Sequence, residues 1–132
     1  MSTEAPTQGA KQADRVLLVD DEPDITFIVE FILTSGGFEV TRLNDSTKTL
    51  DELKSKPYSL IILDLMMPQQ SGFTTLKLIR EDDGLKALPV LILSTRQISV
   101  EETGFLKQHE AQIMAKPFEP QRLLEKVREI LT

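Results

Sequence analysis

The chain has 132 residues, 40% of them hydrophobic, which supports one globular domain with one core and leaves no room for a second. The lack of cysteine excludes disulfides and thiolate metal sites, and the net charge of -6 argues against direct nucleic-acid binding. No apolar run reaches the roughly 20 residues that span a bilayer, and no secretion signal is visible, so we expect a cytoplasmic protein without membrane contact.

Residues 1–13 are small and polar without apolar periodicity, which predicts a disordered N-terminal tail. The folded domain is then expected over residues 14–132. It opens with the apolar run Val16–Val19, which has the length of a strand buried on both faces. This run ends at Asp20 and Asp21.

Apolar residues recur at helical spacing after Pro23, which predicts a first helix that ends at the glycines 36 and 37. A second short strand is predicted over residues 38–41. A weaker helix follows, which we expect Ser46 to cap and the Lys56-Pro57 pair to end.

The second half of the chain continues this alternation. Three further apolar runs each end at a polar residue: Leu60–Leu63 before Asp64, Pro89–Leu93 before Ser94, and Ile113–Ala115 before Lys116. Helical spacing follows each run, around Phe73–Ile79, over Val100–Gln108 and from Pro120 onward. Five alternations of strand and helix predict an α/β fold with a parallel sheet, helices on both faces and all strand carboxyl ends at one edge.

Polar residues at four of these strand ends have no structural reason to follow buried strands, so we expect Asp20, Asp21, Asp64, Ser94 and Lys116 to converge at that edge. Carboxylates that lie this close raise one another's pKa unless a cation lies between them. Oxygen ligands without nearby histidine or cysteine favour a hard divalent ion. Partial ligation that leaves waters in place suits Mg²⁺ better than Ca²⁺.

Asp64 is the candidate phosphoacceptor. With a metal ion on one carboxylate oxygen, the other oxygen is free to attack phosphorus, as carboxylates do in aspartyl-phosphate chemistry. Phosphoryl transfer depends mainly on positioning and charge neutralisation. Lys116 can neutralise one phosphoryl oxygen and the Ser94 hydroxyl can donate a hydrogen bond to another, so these residues complete the predicted catalytic set.

These residues resemble those of a known family, the response-regulator receiver domains, such as the stand-alone chemotaxis receivers. The resemblance rests on VLLVDDEPD, LIILDLMMPQQSG, LPVLILS and AKPF, in that order, and covers Arg15 to Leu131. It implies a flavodoxin-like, doubly wound (βα)5 sheet with strand order 2-1-3-4-5. It also implies a cis peptide between Lys116 and Pro117, and the backbone carbonyl of Met66 as a further ligand of Mg²⁺.

The resemblance further implies that a phosphohistidine on a sensor histidine kinase or a phosphotransfer protein donates the phosphoryl group. The protein is then a signalling receiver that catalyses only its own Mg-dependent phosphorylation and dephosphorylation on Asp64. Because the chain ends at Thr132, directly after the closing helix, we expect it to signal by contact with a target protein that the sequence does not name. It is expected to be a monomer or a weak phosphorylation-dependent dimer.

Three positions depart from the family pattern. Ile113 stands where receivers usually carry an aromatic residue, and a branched aliphatic side chain cannot supply the aromatic readout of phosphorylation. Thr95 stands where a small residue is common, and the turn over Gln108–Gln112 lacks its glycine. These departures leave open a second hypothesis, a receiver-like interaction module whose output does not depend on phosphorylation.

Two other functions are less well supported by the sequence. A metal-dependent phosphatase with an aspartyl nucleophile often carries a second acid two residues later, but that residue here is Met66, which is neither acid nor base. Dinucleotide binding is disfavoured because the first strand leads into aspartates and not into a glycine-rich turn.

Overall fold

The structure is a computed structural model that describes residues 13–132. The tail predicted over residues 1–13 lies outside the described residues, except for Ala13. Strands and helices alternate along the chain. They are β1 (Arg15–Val19), α1 (Pro23–Ser35), β2 (Glu39–Leu43), a 3-10 turn (Ser46–Lys48), α2 (Thr49–Ser55), β3 (Leu60–Asp64), α3 (Gly72–Glu81), β4 (Val90–Ser94), α4 (Val100–Gln108), β5 (Ala111–Ala115) and α5 (Pro120–Leu131).

The strands form one parallel sheet in the order β2-β1-β3-β4-β5, which confirms the predicted topology. The direction of winding reverses between β1 and β3, and ligands of such sheets bind at the carboxyl ends of strands at this switch point. Val19 of β1 lies opposite Leu63 of β3. The residues that follow them, Asp20 and Asp64, are therefore placed side by side.

Two apolar layers cover the two faces of the sheet, because successive side chains of a strand point to opposite faces. One layer packs the odd-numbered side chains of β1 against α2, α3 and α4, with Leu17, Ile61, Leu53, Leu76, Ile79 and Leu106 among its buried members. The other packs the even-numbered side chains of β1 against α1 and α5, with Val16, Leu18, Ile62, Val29, Leu33, Leu123 and Val127 among its buried members. Helices on both faces are thereby confirmed. None of the helices in residues 13–132 has the combination of length and apolar character that crossing a membrane requires.

The predicted cap of the second helical segment was wrong. Asp45, and not Ser46, caps the 3-10 turn, since its carboxylate accepts a hydrogen bond from the Thr47 N–H at 3.0 Å. Ser46 is buried, and its hydroxyl donates to the Gln70 carbonyl at 2.7 Å. Aspartate and serine are comparable caps. The packing of the Gln70 loop decided between them, and that packing is not visible in the local sequence.

The turn between α4 and β5, which lacks the glycine common in receivers, places Glu110 in the left-handed region with φ of 55°. This region favours glycine, so the residue is strained. Arg80 holds the turn, because its guanidinium donates to the carbonyls of His109 and Leu88, each at 2.7 Å. A half-buried arginine thus stabilises this turn in the absence of a glycine.

Candidate functional site

Three aspartates at the ends of β1 and β3 form an acidic cluster, defined here as Asp20, Asp21 and Asp64. One carboxylate oxygen from each residue lies within 4.8 Å of the other two. Asp20 and Asp64 are buried, whereas Asp21 is exposed. The convergence expected from the sequence is present, and the pairing of β1 with β3 is its structural cause.

Lys116 reaches this cluster from β5, two strands away from β3. Its ammonium Nζ lies 2.9 Å from Asp20 Oδ2 and 3.6 Å from Asp64 Oδ1, and its side chain is only 3% exposed. The Lys116–Pro117 peptide is cis, as the resemblance implied. Burial acts to lower the pKa of Lys116, but hydrogen bonds to Glu22 and Asp20 outweigh it, so the pKa is raised and the ammonium stays charged.

Glu22 is part of this site, although the sequence reasoning did not select it. Its Oε1 accepts a hydrogen bond from Lys116 Nζ at 2.9 Å, and its backbone N–H donates to Asp20 Oδ1 at the same distance. A third acid beside the aspartate pair was visible in the sequence. Its contact with a lysine 94 residues later depends on the order of the strands.

Asp64 carries an unsatisfied negative charge. Burial raises its pKa to about 6, and the charge of Asp20 adds to this effect. The charge of Lys116 and a hydrogen bond from the Met66 N–H, at 3.3 Å, act in the opposite direction without cancelling it. A cation placed beside Asp64 would therefore be strongly favoured.

The backbone after Asp64 is held by the start of α3. The Gly72 N–H donates to the Leu65 carbonyl at 2.8 Å. A Cβ at position 72 would meet the Asp64 carbonyl oxygen and the Leu65 Cα, each at 2.9 Å, so only glycine permits this close approach. Ser71 caps the helix by accepting the Thr74 N–H at 3.2 Å. The loop that carries Asp64 is thus fixed by local packing.

Ser94 lies at the same edge, at the end of β4, but its hydroxyl is bonded within its own loop. It donates to the Arg96 carbonyl at 2.9 Å and accepts from the Arg96 N–H at 3.2 Å. The Arg96 side chain contacts Met66 Sδ at 3.5 Å and forms two hydrogen bonds to the Glu102 carboxylate, at 3.0 and 2.8 Å. The sequence analysis did not identify Arg96 as the partner of Ser94.

The donor set of the acidic cluster fits a hard divalent cation. All three candidate ligands offer carboxylate oxygens, which are the ligands that Mg²⁺ prefers. A cavity of about 410 Å³ opens beside Asp20 and Asp21 and is also lined by Arg42 and Asn44, which leaves room for coordinated water. The Met66 carbonyl remains a predicted ligand.

A family model for the response regulator receiver domain matches residues 16–128, from β1 into α5. The chain belongs to the response-regulator receiver family. Receivers of this kind are the signalling domains of two-component systems, and the family match gives no support to the phosphatase hypothesis.

Two relatives and one solved structure illustrate the match. Response regulator Rre1 of Synechocystis sp. is 35% identical over 117 residues, which cover 88% of this chain and 51% of that protein. Two-component response regulator ORR5 of Oryza sativa is 34% identical over 82% of this chain and 81% of its own length. The chain therefore spans about half of Rre1 but most of ORR5. The structure of chemotaxis response regulator CheY4 of Vibrio cholerae covers 90% of this chain and 99% of its own, with a TM-score of 0.82 and 32% identity.

One departure from the receiver pattern lies directly beside the site. Ile113, on the edge strand β5, is 38% exposed and lines a shallow groove with Ser94, Thr95 and Arg96. At the position where the sequence analysis expects an aromatic residue, this chain therefore has the smaller apolar side chain of Ile113, which lies next to the loop of Ser94. The roles of Asp64, Lys116 and Ser94 in chemistry stay predictions.

Proposed function

We propose that this receiver works in the cytoplasm and accepts a phosphoryl group on Asp64 from a phosphohistidine of a sensor histidine kinase or phosphotransfer protein. It then signals through altered contact with a target protein, as a monomer or a weak phosphorylation-dependent dimer. Residues 14–132 form the working domain in this proposal. The observation that supports it is the meeting of three carboxylates and one buried ammonium around Asp64.

Asp64 supplies the nucleophile. One of its carboxylate oxygens forms the bond to phosphorus while the bond from phosphorus to the imidazole nitrogen of the donor breaks, and the imidazole leaves with the bonding electron pair. Because the pKa of Asp64 is about 6, most of the side chain is ionised and nucleophilic at neutral pH. Its fixed loop holds the attacking oxygen in place.

Charge neutralisation is divided among the other residues. Mg²⁺, held by the carboxylates of Asp20, Asp21 and Asp64, supplies positive charge for the phosphoryl oxygens when it is bound. The ammonium of Lys116, 3.6 Å from Asp64 Oδ1, binds a second oxygen. The Ser94 hydroxyl exchanges its bond to the Arg96 carbonyl for a bond to the phosphoryl group, which would link phosphorylation to the loop that precedes α4.

The direct test is intact-mass measurement after incubation with Mg²⁺ and acetyl phosphate or phosphoramidate. The wild-type protein should gain one phosphoryl mass and Asp64→Asn none. Asp83→Asn is a matched control, since Asp83 is a fully exposed acid in the loop after α3, and it should label like wild type. A wild-type protein that stays unlabelled with both small donors and with phosphohistidine proteins would contradict the proposal.

A second candidate, a receiver-like module that binds its partner independently of phosphorylation, is favoured by Ile113 and by the bonded state of Ser94. Amide NMR with and without beryllofluoride separates the two. Shifts restricted to the acidic cluster would favour the second candidate, whereas shifts that extend to α4 and β5 would favour the first.

A further inference from the structure

Three carboxylates lie around the one ammonium group of Lys116, at unequal distances. A lysine ammonium has three N–H donors. Asp20 and Glu22 each accept one at 2.9 Å, whereas Asp64 lies at 3.6 Å, beyond ordinary hydrogen-bond distance. In the unphosphorylated receiver, Lys116 is therefore held by its two other partners more closely than by the phosphoacceptor.

The two partners differ in how easily they release the lysine. The side chain of Asp20 is fully buried and also accepts the backbone N–H of Glu22, so it cannot leave without losing a second bond. The side chain of Glu22 is 55% exposed. It can turn into water without leaving a buried charge unpaired, so it is the partner that an incoming group can displace.

We propose, on the basis of the phosphoacceptor role given above, that Glu22 is a positioning residue that restrains phosphorylation by occupying Lys116. The N–H of Lys116 that Glu22 accepts is the one a phosphoryl oxygen on Asp64 takes over. In this proposal Lys116 leaves Glu22 as it moves toward the phosphoryl group, so the contact with Glu22 stabilises the unphosphorylated state. Its charge also opposes the approach of an anionic donor.

The substitution Glu22→Gln isolates this effect because it keeps the shape of the side chain and removes the charge. Loss of a half-exposed ion pair should raise the phosphorylation rate by about fivefold, which corresponds to about 1 kcal/mol. Decay of the phosphorylated form should change by less than about twofold, since Glu22 has already released Lys116 in that state. A purely structural role would alter both rates or neither.

The matched control is Glu39→Gln. Glu39 begins β2 at the opposite edge of the sheet, where it pairs with Arg15 at 3.5 Å, so this variant loses the same charge far from Asp64. The experiment follows intact mass over time with acetyl phosphate at saturating Mg²⁺, and then after removal of the donor. NMR of the lysine side chains gives a second readout: the Lys116 signal should shift in Glu22→Gln and stay unchanged in Glu39→Gln.

A Glu22→Gln rate at or below that of wild type, or an unshifted Lys116 signal, would overturn the inference. Equal acceleration in Glu39→Gln would do the same, because net charge and not the contact with Lys116 would then be responsible. In these cases labelling of the wild type on Asp64 leaves the proposed function standing. A wild type that accepts no phosphoryl group would overturn both.

Discussion

Two charged clusters lie near the same edge of the sheet and are built in opposite ways. In the acidic cluster, burial raises the pKa of Asp64 to about 6. At the start of α4, hydrogen bonds from Arg96 and Ser99 lower the pKa of Glu102 to about 2. The first cluster holds charges that its protein neighbours do not satisfy, and the second holds charges that they do.

The second cluster is complete without any ligand. Glu102 accepts two hydrogen bonds from Arg96 and one from the Ser99 N–H, while the Ser99 hydroxyl accepts the Glu102 N–H at 3.1 Å, which makes a reciprocal capping box. Within residues 13–132, Lys116 is the only cation at ion-pair distance from the carboxylates of the acidic cluster. Stability is thus given up where the proposed function requires a phosphoryl group and a cation to bind, and is retained at the start of α4.

The largest effect should follow removal of the only positive charge that contacts the acidic cluster directly in residues 13–132. Lys116→Met leaves Asp20 and Asp64 buried without this partner, and we expect it to lower the free energy of unfolding by about 3 kcal/mol. Urea unfolding without Mg²⁺ measures the loss. Lys126→Met, which removes a lysine paired with an exposed glutamate at 3.6 Å, should have a much smaller effect. Equal losses would show that the two kinds of pair are equivalent.

Removing the charge of Asp64 should change the free energy of unfolding in the opposite direction, because it should stabilise the folded protein. The pKa of Asp64 rises from 3.8 to about 6 on folding, so the folded state holds the proton more tightly and ionisation lowers stability. Asp64→Asn should therefore raise the free energy of unfolding by about 2 kcal/mol at neutral pH, allowing for partial solvent access. This gain should shrink as the pH falls through about 6 and vanish below 3.8. Urea unfolding at several pH values measures it, and a gain that persists in acid would contradict the charge explanation.

Binding of Mg²⁺ should supply the positive charge that the acidic cluster lacks, and should therefore stabilise the folded protein. At a tenfold excess over Kd it should raise the free energy of unfolding by about 1.4 kcal/mol. The rise should weaken as the pH falls through about 6, since protons then compete for Asp64. Thermal unfolding with and without Mg²⁺ checks this. Asp21→Asn should reduce the effect, and an unchanged response would place the ion elsewhere.

The smallest change in the free energy of unfolding is expected in the cluster at the start of α4, where the charges are already paired. Ser99→Ala removes one half of the capping box and should lower the free energy of unfolding by about 1 kcal/mol. Because the pKa of Glu102 is about 2, this loss should be the same across the pH range in which Asp64 titrates. It should also be independent of Mg²⁺. Chemical unfolding of Ser99→Ala and Asp64→Asn at the same set of pH values tests this difference. A change in stability of Ser99→Ala that follows the pH dependence of Asp64→Asn would contradict it.

Local patterns in the sequence predicted most of the architecture. The apolar runs before Asp20, Asp64 and Ser94 identified β1, β3 and β4, because strands buried on both faces leave continuous apolar segments. Helical spacing identified α1 and α5, and the predicted span of α4 agrees with the structure. The edge strands were less well predicted: β2 runs two residues beyond the predicted end, and β5 begins two residues before its apolar run. Pairing with a neighbouring strand, and not apolarity, sets those ends.

The sequence by itself determined which polar residues stand at the carboxyl ends of strands, and parallel pairing was enough to bring Asp20, Asp21, Asp64 and Lys116 together. Only the tertiary structure decided that Glu22 shares Lys116 and that Arg96 holds Ser94. Periodicity records how each residue meets its own strand or helix, since those contacts repeat along the chain. The choice among several nearby acceptors depends on distances between loops far apart in sequence, and no local pattern encodes them.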